Sequence, residues 1–66
     1  MKVDGKKISI LQAQKQMTTT KLAKLSGISG SAICNIVRGD REPRPKTVGK
    51  LAKALNVEVE ELLIQE

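Results

Sequence analysis

The stretch Thr19–Arg38 reads TTKLAKLSGISGSAICNIVR, and its spacing decides the fold. Leu22, Ala23 and Ser26 recur at helical spacing, and Ile33, Ile36 and Val37 do so again after a break. Two helices that meet near a right angle must approach closely at the bend. Ala23 is small enough to allow it. Four residues on, Gly27 can take the positive φ that reverses the chain. Ile28 and Ile33 then fill the angle between the helices, while Leu22 and Ile36 anchor the pair to a wider core.

On either side of this stretch, turn and cap residues mark further short helices. Asp4 is a suitable N-cap for a first helix running to about Gln16, with Ile8 and Leu11 on one face and Ile10 pointing away. A Thr of the Thr18-Thr19-Thr20 cluster caps the second helix, and Ser29 caps the third. Gly39 ends the third. Asp40–Pro45 is turn-like, and Pro45 suits the first turn of a fourth helix with Val48, Leu51, Ala52 and Leu55 inward and Asn56 as its stop. A short fifth helix would hold Val59, Leu62 and Leu63. No segment shows strand alternation. The expected fold is all-α, a compact five-helix bundle with a central two-helix unit, in one domain over residues 1–66.

Composition narrows the function. At 66 residues the chain is near the lower limit for independent folding, since a domain this small buries only about 60% of its unfolded surface. One Cys permits no internal disulfide, and the absence of His removes a zinc site, so no metal or other cofactor is expected. Phe, Tyr and Trp are all missing, which leaves an aliphatic core and no stacking platform for single strands. No apolar run nears the roughly 20 residues of a membrane span, and no signal peptide is visible, so a cytoplasmic location is expected. The net charge of +5 is uneven: residues 1–28 carry +5, residues 29–46 carry +2, and residues 47–66 carry −2. The first two thirds therefore suit a polyanion.

LAKLSGIS at 22–29, the Ile33/Ile36 pair, RGDREP at 38–43 and LAKALNVEVEELL at 51–63 together resemble the lambda-repressor-like, Cro-type helix-turn-helix family, also called the xenobiotic-response-element family. The resemblance covers about Gly5 to Leu63. It implies that the third helix enters the major groove of double-stranded DNA. Carried over by position, Gly30, Ser31, Ala32 and Asn35 would face base edges. Thr19 and Ser29 would cap helices at the phosphate backbone, and Arg38, Arg41, Arg44 and Lys46 would reach phosphates. Asn35 is the best direct reader, because Asn can pair bidentately with adenine, and the Ala32 methyl could touch a thymine methyl.

The chain departs from the family pattern in several places. Thr19 stands where the family usually has Gln, and Gly30 where it often has Gln or Arg. Gly30 and Ser31 offer little side chain to a base, which implies weak or shape-driven selectivity with much of the affinity from phosphates. The alternative is that Asn35 and one or two other contacts suffice. A family Arg–Glu pair between the first and third helices is replaced by Gln12 and Val37, consistent with packing in place of an ion pair. Cys34 is expected to be a small semi-buried residue, the alternative being a redox switch. A short helix cannot bury Leu62, Leu63 and Ile64 on one face, so the run either packs against a second copy or simply closes the core.

The expected function is sequence-selective DNA binding as a small transcriptional regulator, a repressor in its simplest form. A homodimer on a palindromic operator is usual for the family. No small-molecule ligand is expected, because no sensor segment is present. The competing reading is a protein-interaction module such as the antitoxin of a toxin–antitoxin pair. Nothing points to an enzyme: Glu60 and Glu61 diverge on a helix, and no nucleophile–base set has a convincing context.

Overall fold

A computed structural model describes residues 1–64 of the chain. Its helices are α1 (Gly5–Gln14), α2 (Thr19–Ser26), α3 (Gly30–Arg38) and α4 (Pro45–Leu55). The expected fifth helix is instead a four-residue 3-10 turn, Val59–Leu62, so the described residues hold four α-helices rather than five. The reason lies in pairing between the two ends of the chain. The Asp4 N–H donates to the Leu62 carbonyl at 2.7 Å and the Ile64 N–H to the Lys2 carbonyl at 3.2 Å, while Val3 and Leu63 form an isolated antiparallel bridge. The bridge holds Leu63 in extended backbone, at φ −79° and ψ 150°, which a helix running through Leu63 could not adopt.

The caps explain most of the boundaries. Asp4 accepts from the Lys6 N–H, Thr18 from the Lys21 N–H and Ser29 from the Ala32 N–H, each satisfying a donor that a helix start leaves open. The α2 cap is therefore Thr18, and Thr19 is the first helical residue. α1 stops at Gln14, two residues short of the expected end, and Gln16 leaves it with φ +52°. Gly27 at φ +73° makes the reversal between α2 and α3, a backbone conformation that a Cβ penalises. Gly39 and Asn56 end α3 and α4 in the same left-handed conformation, and Pro45 opens α4.

The core is wholly aliphatic: Ile8, Leu22, Ile33, Ile36, Val48, Leu51, Ala52, Leu55 and Leu62. Ile28 and Ala23 pack at its edge, as expected for residues that fill the bend. α2 packs on α3 and α4, and α1 on α3. α1 approaches α3 so closely that a Cβ on Gly5 would overlap the Val37 carbonyl. Ser26 is the one buried polar side chain among the described residues. Its hydroxyl donates to the Leu22 carbonyl at 2.7 Å and accepts from the Ile28 N–H at 3.2 Å, so it stitches the end of α2 to the turn.

Of the C-terminal run, Leu62 is buried and Leu63 packs at the core edge. Ile64 remains 47% exposed, and Ile10 is 51% exposed on the outer side of α1. No described helix is long and apolar enough to cross a membrane.

Candidate nucleic-acid interface

The two inward isoleucines set the phase of α3. With Ile33 and Ile36 buried, Ser31, Cys34 and Arg38 lie on the exposed side, and Gly30, Ala32 and Asn35 are half-buried at its margins. Cys34 is thus exposed, not semi-buried as its sequence position suggested, because it falls one residue past an inward position, about 100° round the helix. The N-terminal half of α3 presents only small side chains. A Cβ on Gly30 would meet nothing nearer than Thr19 Cγ2 at 3.9 Å, so position 30 is open space beside the start of α2.

Two clefts flank α3. On one side, Ala32, Ile28 and Ile36 share a groove with Arg41, Glu42, Pro43, Arg44 and Thr47, where two arginines outweigh the one carboxylate. On the other, Cys34 and Arg38 share a cleft with Ser9, Gln12, Thr19 and Val37. The small outward surface of α3 therefore runs between a basic wall and a polar one. Gln12 and Val37 do face one cleft, where the family would place an ion pair. Gln12 Nε2 donates to the Met17 carbonyl at 3.4 Å, and Val37 packs against the core.

The basic wall is held by backbone. Arg41 and Arg44 are exposed on either side of the buried Pro43. The Met1 amine donates to the Pro43 carbonyl at 3.0 Å, which ties this loop to the N-terminal arm. Arg44 is the N-cap of α4 but gives it no side-chain cap bond. Pro45 has no N–H, so the first-turn N–H groups of Lys46 and Thr47 are those left open. Open N–H groups together with Arg41, Arg44 and Lys46 make a surface for anions. Sequence reasoning missed Thr47, and its place in the first turn after Pro45 is the signal that could have found it.

The starts of α2 and α3 adjoin through the Thr19–Gly30 neighbourhood. Thr18 and Ser29 supply the caps there, each leaving the first N–H groups of its helix directed outward. Thr19 itself lines the polar cleft rather than capping. Its cap role passes to Thr18, whose hydroxyl rather than that of Thr19 meets the Lys21 N–H.

Asn35 and Arg38 are not independent. Arg38 Nη2 donates to Asn35 Oδ1 at 2.6 Å, and Arg38 Nε lies 3.2 Å from Asp40 Oδ2. Among the described residues, no group of three or more His, Cys, Asp or Glu is placed to hold a metal.

A helix-turn-helix family model matches residues 9–62. Over 60 residues the chain is 37% identical to the HTH-type transcriptional repressor RghR of Bacillus subtilis (strain 168), a match covering 89% of this chain and 44% of that protein. It is 38% identical over 60 residues to the uncharacterized HTH-type transcriptional regulator RghRB of the same organism, covering 89% of this chain and 43% of that one. The chain thus spans less than half the length of these two curated relatives. Its structure is similar to the crystal structure of the restriction-modification controller protein C.AhdI from Aeromonas hydrophila, with a TM-score of 0.86, 34% sequence identity and 89% of each chain covered.

Proposed function

The chain belongs to the lambda-repressor-like, Cro-type helix-turn-helix family, and from that premise we propose that it binds double-stranded DNA as a cytoplasmic transcriptional regulator, acting as a repressor. The observation that carries this reading is the flanking of α3 by the Arg41–Arg44–Thr47 wall, with the open α4 N-terminus at its base. α3 enters the major groove with Gly30, Ser31, Ala32 and Asn35 toward base edges. Arg41, Arg44 and Lys46 take phosphates on one side. The α2 and α3 starts, capped by Thr18 and Ser29 and lined by Thr19, take them on the other. Arg38 is engaged by Asn35 and Asp40 in the unbound protein, in an exposed ion pair that a phosphate would have to displace.

A repressor of this kind works by covering its site. Two copies related by a two-fold axis would place their α3 helices about 34–36 Å apart on successive major-groove faces. The protein measures 29 × 21 × 19 Å, so two copies fit side by side at that spacing. The likeness to a controller protein over 89% of each chain supports a regulatory role for this domain. The longer Bacillus relatives support the same domain as the DNA-binding part of a larger regulator.

Binding of labelled duplexes, followed by fluorescence anisotropy, tests the division of roles. Arg41→Ala should weaken all duplexes alike and lower the salt dependence by about one ion. Asn35→Ala should cost discrimination at one base pair, by about 1–3 kcal/mol. If both variants lose general affinity equally and keep full selectivity, the assignment is wrong.

A further inference from the structure

The end of α3 builds a three-residue relay. Gly39, at φ +84°, turns the chain so that the Asp40 N–H returns to the Asn35 carbonyl at 2.9 Å. This brings the Asp40 carboxylate to Arg38 Nε at 3.2 Å, and Arg38 Nη2 reaches Asn35 Oδ1 at 2.6 Å. A guanidinium can only donate. The Asn35 amide must therefore turn its oxygen to Arg38, which leaves the two Nδ2 protons directed elsewhere.

That orientation changes what Asn35 can read. A free Asn pairs with adenine because it offers one acceptor to N6–H and one donor to N7. Here Arg38 takes one of the two lone pairs of Oδ1, and its cation sits beside the other, where the adenine amino group would have to donate. Guanine presents only acceptors, O6 and N7, along the same edge. They match a surface made of an amide N–H and guanidinium N–H groups.

We propose that Arg38, held by Asp40, is a positioning and specificity-determining residue that makes Asn35 select guanine over adenine at the base pair it faces. The inference rests on α3 lying in the major groove. The Arg38 and Asp40 side chains are 65% and 63% exposed, and an ion pair so exposed contributes little to folding. Its removal should therefore leave the fold intact and act on selectivity.

The test uses the full chain and duplexes that the wild-type protein selects from a random pool, with all four base pairs compared at each position. Asn35→Ala marks the base pair concerned, where its preference flattens. At that pair the wild-type protein should favour guanine over adenine by about tenfold or more. Arg38→Met keeps the aliphatic stem and removes the donors, and should bring guanine and adenine to parity or reverse them. Asp40→Asn should give a partial loss, and Arg38→Met added to Asn35→Ala should change the ratio no further. In the free protein, Arg38→Met should also shift the Asn35 side-chain amide resonances in an NMR spectrum. The proposal is overturned if those resonances stay in place. It is equally overturned if Arg38→Met keeps the guanine preference while weakening every duplex alike and lowering the salt slope by about one, as a phosphate contact would. Failure of the wild-type protein to enrich any duplex would remove the DNA-binding reading itself. A selected duplex whose guanine preference survives Arg38→Met removes this inference alone.

Discussion

The same substitution at two glycines should move stability in opposite directions. Gly5 opens α1 against the end of α3, and a Cβ there would lie within 2.9 Å of Val37 Cα and closer still to its carbonyl. Both neighbours are backbone, so relief requires α1 to shift off α3. Overpacking of this sort costs about 1–3 kcal/mol. Gly49 lies within α4, where a Cβ would meet nothing within 4 Å. There Ala gains about 0.5–1 kcal/mol, because a helical Gly loses more chain freedom on folding. For a domain of this size each kcal/mol moves Tm by about 4–8 °C. Gly5→Ala should therefore lower Tm by roughly 5–20 °C and Gly49→Ala raise it by roughly 2–8 °C, on the same scale. Thermal unfolding followed by circular dichroism at 222 nm reads both. A Gly5→Ala protein as stable as wild type would refute the close approach of α1 to α3, and with it the placement of the α3 end that carries Asn35 and Arg38.

Other substitutions separate neighbouring roles. Thr18→Ala should cost about 1 kcal/mol in a urea titration, whereas Thr19→Ala should stay within about 0.5 kcal/mol, since only Thr18 accepts a capping N–H. Ser26→Ala should cost about 1–3 kcal/mol by the same measurement, because it strands the Ile28 N–H at the turn. Val37→Glu should cost on the order of 1–3 kcal/mol, since it takes a carboxylate out of water at the core edge beside Gln12. Gln12→Arg added to it should recover part of that loss.

Much of the fold was legible because its boundaries are set by local chemistry. Asp4, Gly27, Ser29, Gly39, Pro45 and Asn56 each act within a few residues of themselves, and all six stand where the sequence places them. The inward faces of α3 and α4 followed from 3.6-residue spacing for the same reason. What escaped was decided at a distance. Thr18, Thr19 and Thr20 are chemically equivalent caps, and only the register of α2 makes Thr18 the one that accepts. Val59, Leu62 and Leu63 fit a helical pattern, but pairing of Lys2–Asp4 with Leu62–Ile64 converts the segment to one 3-10 turn. The candidate site divides in the same way. Ser31 and Arg38 on the outward side of α3 follow from its inward side, whereas Cys34, expected semi-buried, is exposed with them. The Asn35–Arg38–Asp40 relay depends on side-chain rotamers and on the left-handed Gly39, which no spacing rule describes.

Selection of bound duplexes from a random pool at near-physiological salt tests whether α3 and its basic wall form a DNA-reading surface. A short motif should be enriched, repeated as a palindrome with half-sites one helical turn apart if two copies bind together. A pool left unenriched while the protein remains folded would contradict that reading of α3.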